Sequence, residues 1–118
     1  MPAFDLCERT FEFSLAVLNL WQKLTKTRGF PRALANQLLR AGTSIGANVE
    51  EGRAGQSRAD FVSKYSIARK EARETSYWLR MFLASKLVPE ADARPLIKEA
   101  EEIISILTAI IKKTKGVT

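Results

Sequence analysis

The chain of 118 residues contains no histidine, a single cysteine and only two tyrosines. Without histidine it lacks the commonest general base and the commonest transition-metal ligand. The Glu-x-x-His pattern of carboxylate-bridged metal bundles is excluded with it. Cys7 alone can close no internal disulfide, which fits a reducing compartment. No run of about 18 apolar residues occurs, so no segment reads as membrane-spanning. The start, Met1-Pro2-Ala3-Phe4-Asp5, lacks the basic and apolar regions of a signal peptide. These absences point to a cytoplasmic protein.

Apolar residues form 46% of the chain, which argues against disorder, and the length suits one domain over residues 1–118. The apolar spacing is helical nearly throughout. A first helix is expected from about Asp5 to Thr27, with one stripe of Phe11, Leu15 and Leu18 and another of Phe13, Val17, Leu20 and Leu24. Gly29 and Pro31 mark a stop and a new start. The second helix should run to about Glu51, its seam formed by Leu34, Leu38, Ala41, Ile45 and Asn48, with Gly52 and Gly55 opening the next turn.

Ser57, with Asp60 three positions on, predicts the start of a third helix. Phe61, Tyr65, Ala68, Ala72, Thr75, Leu79 and Phe82 then repeat at four-three spacing, a bundle seam. Asp92 and Pro95 suit the start of a fourth helix, whose seam is Leu96, Ala100, Ile103, Leu107 and Ile110. The short joins make sequential helices antiparallel. The expected fold is all-α, an antiparallel up-down four-helix bundle.

The second helix carries Gly42, Ser44, Gly46, Asn48 and Glu51, which helix interiors ordinarily avoid. Each glycine costs about 1 kcal/mol relative to alanine, and buried polar groups cost more unless they are bonded. Gly42 and Gly46 therefore predict close packing against a neighbour. Ser44, Asn48 and Glu51 share a face and are expected to form a buried polar network between helices, one that fixes register.

Nothing in the pattern reads as a reaction centre. Ser44 and Ser57 have no histidine partner, and Cys7 has none either. Glu50, Glu51, Glu71 and Glu74 could attract a hard cation, but pairing with Arg40, Arg69 or Arg73 accounts for them without a metal. Gly52 to Ser57 lacks the Gly-Lys-Ser/Thr ending of a phosphate loop and follows a helix rather than a strand. No enzyme activity, cofactor or metal is expected.

The net charge is +6. By segments, residues 57–88 hold seven cations against three acids, while residues 89–118 balance. Arg69, Lys70, Arg73 and Arg80 on the third helix, with Lys112, Lys113 and Lys115 at the end of the fourth, are thus candidates for contacting nucleic-acid phosphates. Tyr77, Trp78 and Met81 lie outside the third helix's seam among these cations. Aromatic side chains with arginine are the composition of interface centres, which predicts self-association there.

One run ties these features together: Arg40-x-x-x-Ser44-Ile45-x-x-Asn48-Val49-x-Glu51-Gly52, followed by Ser57, Asp60 and Phe61. It resembles the hallmark of small bacterial four-helix-bundle proteins called intervening-sequence proteins, some of which are encoded within insertions in 23S ribosomal RNA genes. Val49 stands where that family has isoleucine. Ile67-Ala68-x-Lys70-Glu71-Ala72-x-Glu74-Thr75-x-Tyr77-Trp78-Leu79 is similar to its third helix. The resemblance implies a cytosolic bundle, often a homopentamer. It implies, more distantly, a likeness to the basic pentameric accessory proteins of diversity-generating retroelements, which bind nucleic acid and a reverse transcriptase. The expected function is a nonenzymatic oligomeric adaptor that binds structured RNA or DNA through a basic surface. The alternative is a protein-protein interaction scaffold without nucleic acid.

Overall fold

The computed structural model describes residues 5–116. Four helices follow one another: α1 (Leu6–Lys26), α2 (Arg32–Arg53), α3 (Arg58–Ala84) and α4 (Glu90–Thr114). Each packs on its neighbours in sequence, and α1 meets α4 along a thinner contact that closes the bundle. The backbones of the diagonal pairs, α1 with α3 and α2 with α4, do not approach closely among the described residues. The result is the expected antiparallel up-down bundle, 47 × 25 × 23 Å.

The ends follow local chemistry. Asp5 caps α1 by accepting from the Glu8 amide at 3.2 Å, and Ser57 caps α3 by accepting from the Asp60 amide at 3.1 Å. Gly29 adopts φ +86°, the left-handed conformation that lets the chain turn between α1 and α2. Pro31 and Pro89 stand at the starts of α2 and α4. The fourth helix therefore begins earlier than Asp92, and Pro95 lies inside it. Pro95, in the second turn, removes the bond its amide would have made to the Ala91 carbonyl and sets its ring against that carbonyl. Gly52 does not open a turn either. It is helical and buried, because Tyr65 lies where a side chain would go.

The core is one continuous cluster of buried side chains from all four helices. Phe13, Val17 and Leu20 of α1, Leu38, Ile45 and Val49 of α2, Leu79 and Phe82 of α3, and Ile103 and Leu107 of α4 all belong to it. Phe30, between α1 and α2, sets its ring edge-on to Phe82 with centroids 5.0 Å apart. At the other end Phe61 stacks on Tyr65 at 4.0 Å. On α2 the seam runs through Gly42, Gly46 and Val49, and Asn48 is only half-buried beside it. A Cβ on Gly42 would lie 2.7 Å from a Val17 methyl, and one on Gly46 would lie 3.2 Å from the Thr10 carbonyl oxygen. A side chain at Gly42 would force Val17 to shift, and one at Gly46 would press on the α1 backbone, so the two glycines mark the closest approach of α1 and α2. Of the two stripes of α1, only Phe13, Val17, Leu20 and Leu24 are buried. Phe11, Leu15 and Leu18 point outward.

Candidate nucleic-acid interface

The polar patch of α2 is not the interhelix network expected of it. The Ser44 hydroxyl donates to the Arg40 carbonyl at 2.6 Å, and the Asn48 amide donates to the Ser44 carbonyl at 2.8 Å, both within α2. Short polar side chains on a helix satisfy themselves in this way when no partner faces them. Glu51 is exposed and pairs with Lys64 of α3 at 3.3 Å.

The polar tie between α2 and α3 sits one turn away. The Arg40 guanidinium donates to the buried Glu71 carboxylate at 3.1 Å and to Glu74, and the Trp78 indole donates to Glu74 at 3.1 Å. Burial pushes the Glu74 carboxyl up. The indole and the guanidinium outweigh it and hold that carboxyl below the usual range. The same contact explains Trp78, which is half-buried against the core and stacked near Phe82. Tyr77 is exposed, and Met81 is half-buried. On the opposite side, Arg9 forks onto Glu99 and donates to Glu102 at 2.6 Å, pinning α1 to α4, and this raises its pKa. Among the described residues no three metal-ligating side chains converge.

The seven cations singled out in the sequence do not form one patch. Lys70 and Arg73 are exposed on α3, while Arg69 is half-buried. Arg80 is exposed but donates to Ser76, itself bonded to Glu101 of α4, and lies 6.0 Å from the Tyr77 ring centroid. Because Ser76 lies level with Glu101 and the helices run oppositely, Arg80 and Lys112 are roughly 22 Å apart along the bundle. Lys112, Lys113 and Lys115 are exposed at the far end of α4.

The positive charge gathers elsewhere. The antiparallel fold brings residues 20–36 and 80–97 to one end of the bundle. They hold Lys23, Lys26, Arg28, Arg32, Arg80, Lys86 and Arg94 against only Glu90 and Asp92, a net of +5 out of the chain's +6. Glu90 is paired with Arg94 and Asp92 with Lys23. Lys86 stands between two shallow hollows, of ≈ 690 and ≈ 640 Å³. Arg80 and Arg94 line one, and Lys23 and Lys26 the other. Leu83, Val88 and Ile97 give the first an apolar floor.

Lys86 is held at φ 62°. Its amide bonds the Leu83 carbonyl at 3.0 Å, and the next amide, of Leu87, bonds Phe82 at 3.0 Å. This is the paired closure that usually ends a helix on glycine. Here a lysine takes the strained position. Segment-by-segment charge missed this cluster because its members belong to two stretches 43 residues apart or more. Assigning charge by bundle end would have found it.

No curated protein matches the sequence. Among solved structures, a Bacteroides thetaiotaomicron protein of unknown function from the S23 ribosomal protein family superposes with a TM-score of 0.87 at 36% identity. The alignment covers 92% of this chain and 99% of that one. The family described as 23S rRNA-intervening sequence protein matches residues 3–109, so the chain belongs to that family.

Proposed function

We propose that the protein is a nonenzymatic, self-assembling cytoplasmic adaptor that holds structured RNA or DNA by its phosphates. The observation that carries this reading is the loop end of the bundle, which holds a net of +5 and whose two adjoining hollows are lined by Lys23, Lys26, Arg80, Lys86 and Arg94 against Glu90 and Asp92. Several cations over a shallow surface suit the phosphate backbone, whose neutralisation releases counterions and dominates affinity. None of them lies on a helix shaped to enter a major groove, so little sequence preference is expected. Assembly would multiply the field with each added copy.

The test is a mobility shift with a labelled RNA hairpin and a duplex DNA at about 50 and 200 mM salt. Replacing Lys26, Lys86 and Arg94 with alanine should weaken binding to both and make the log–log salt slope shallower by about 2–3. The apolar floor of Leu83, Val88 and Ile97 favours one other reading, an acidic protein segment seated in the same hollow. Absence of any shift at low salt, from a correctly assembled protein, would put that scaffold reading first.

A further inference from the structure

The turn between α3 and α4 closes off the hollow of ≈ 690 Å³, whose lining phosphate binding does not account for. Each helix brings to it an arginine and, three positions on, an apolar side chain: Arg80 with Leu83 on α3, and Arg94 with Ile97 on α4. Val88 completes the apolar floor, and Lys86 the cationic rim. Phosphates need only the rim. A continuous duplex offers its sugar–phosphate ridges and keeps the flat faces of its bases stacked inside, so it leaves this floor uncovered.

The two guanidiniums are anchored in the same way. Arg80 donates through Nε to the Ser76 hydroxyl at 3.3 Å, and Arg94 through Nε to the Glu90 carboxylate at 2.8 Å, each partner one turn earlier on the same helix. These bonds take the inner nitrogen and leave the terminal pair for an incoming group. A guanidinium is a flat surface on which a base stacks, and its edge is a fork for phosphate. Glu90, the one acid lining this hollow, is the carboxylate already engaged with Arg94. Lys86, at φ 62°, holds a backbone position that glycine takes without strain, and it stands on the rim of both hollows. The second hollow holds Lys23, Lys26 and Asp92 but no arginine, so it lacks the stacking surface.

We infer that the hollow between α3 and α4 takes one unpaired nucleotide of the bound strand. Its base lies on Leu83, Val88 and Ile97 against the arginines, and its phosphate meets Lys86 and the guanidinium edges. The inference rests on the reading of the loop end as a phosphate-binding surface. It names the part of the nucleic acid that this surface prefers: a bulge, loop or overhang, where no base has to be pulled from the stack. The strand runs on over Lys86 to Lys23 and Lys26, which hold phosphates only. Apolar floor residues offer no donor or acceptor to a base edge, so the preference is for unpaired over paired nucleotides and not for sequence.

The test is the affinity, by fluorescence anisotropy at one fixed salt concentration, of the wild type for three RNAs. They are a blunt duplex, the same duplex with one bulged nucleotide, and the same bulge made abasic, which keeps the added phosphate and lacks the base. The bulged RNA should bind at least about fivefold tighter than either of the others, the lower end of what one stacked base contributes. Ile97→Gln removes part of the floor, and Ala84→Gln, at an exposed position of the lining, fills the space above it. Neither changes the charge, and each should bring the bulged RNA down to the affinity of the abasic one. Far-UV circular dichroism checks that both keep their helices. Equal affinity of the wild type for the bulged and abasic RNAs would overturn the inference and leave the phosphate reading standing. So would a bulge preference that survives in both folded variants. No binding of any of the three RNAs would overturn both readings and leave an acidic protein segment as the occupant of this hollow.

Discussion

Gly42 offers the sharpest test of how the bundle is packed. Alanine there would place its methyl 2.7 and 2.8 Å from the two Val17 methyls and 3.1 Å from the Val17 Cβ. Ordinary carbon contacts begin near 3.5 Å. Val17 is fully buried, and its β-branch holds it to one rotamer in a helix, so it cannot swing aside. Overpacking of this kind costs about 1–3 kcal/mol. The same substitution gains about 1 kcal/mol of helix propensity. The expected net effect of Gly42→Ala is a loss of about 0–2 kcal/mol, where an open site would give a gain of about 1. Val17→Ala alone removes two buried methyls and leaves a void, a loss of about 2–3 kcal/mol. In the double variant the new methyl enters the space that valine vacates. The pair should therefore cost less than the sum of the singles by at least about 1 kcal/mol. Urea unfolding followed by circular dichroism measures all three, at one fixed protein concentration because self-association shifts the midpoint. Additivity within about 0.5 kcal/mol, or stabilisation by Gly42→Ala alone, would refute the close approach.

Arg40→Met should cost about 1–3 kcal/mol in the same assay, below the full penalty for an orphaned buried charge because half the arginine is in water, and Glu71→Gln should restore part of it. Glu74 is held below its unfolded value, so its contribution is fully present above about pH 4.3 and disappears as pH falls through the lower folded value. Glu74→Gln should accordingly flatten the acid side of a pH–stability curve, and an unchanged slope would count against the Trp78 and Arg40 contacts. Lys86→Gly should raise stability by about 0.5–1 kcal/mol by relieving the left-handed lysine, while weakening RNA and DNA shifts. Replacing Lys112, Lys113 and Lys115 together with alanine should reduce affinity for all sequences alike, and by less than the substitutions at the loop end.

Where the sequence pattern was periodic, it was legible. The seam of α3 is buried at Tyr65, Ala68, Ala72, Thr75, Leu79 and Phe82, because a four-three repeat over three heptads leaves a helix one way to face a core. The caps at Ser57 and the break at Gly29 and Pro31 were equally clear, each having a single backbone role. Residues that fit two roles were not. Asn48 fits the apolar repeat as well as Val49 does by count, but the small residues Gly42 and Gly46 draw α1 onto the face centred on Val49 and leave Asn48 at its edge. Phe11, Leu15 and Leu18 are as regular as Phe13, Val17 and Leu20. A helix with two apolar stripes does not say which one faces inward. The charged end escaped notice because proximity there comes from the fold rather than from the chain.

Two surfaces divide the molecule in a way that makes assembly and binding separable. The exposed apolar side chains of α1 and α3, Leu15 and Tyr77 among them, run along the sides of the bundle and suit contact between copies, and the loop end with Lys26, Lys86 and Arg94 caps it. Lateral packing of copies with parallel axes leaves every loop end facing the same way. Patches of +5 then lie on one face of the assembly rather than being distributed around it. The loop-end alanines should therefore lower affinity at unchanged mass, whereas Leu15→Arg should lower mass first. Its affinity should fall only because the copies no longer act on one strand together. A Leu15→Arg monomer that bound RNA as tightly as the assembly would show that a single loop end suffices, and that assembly serves some other end.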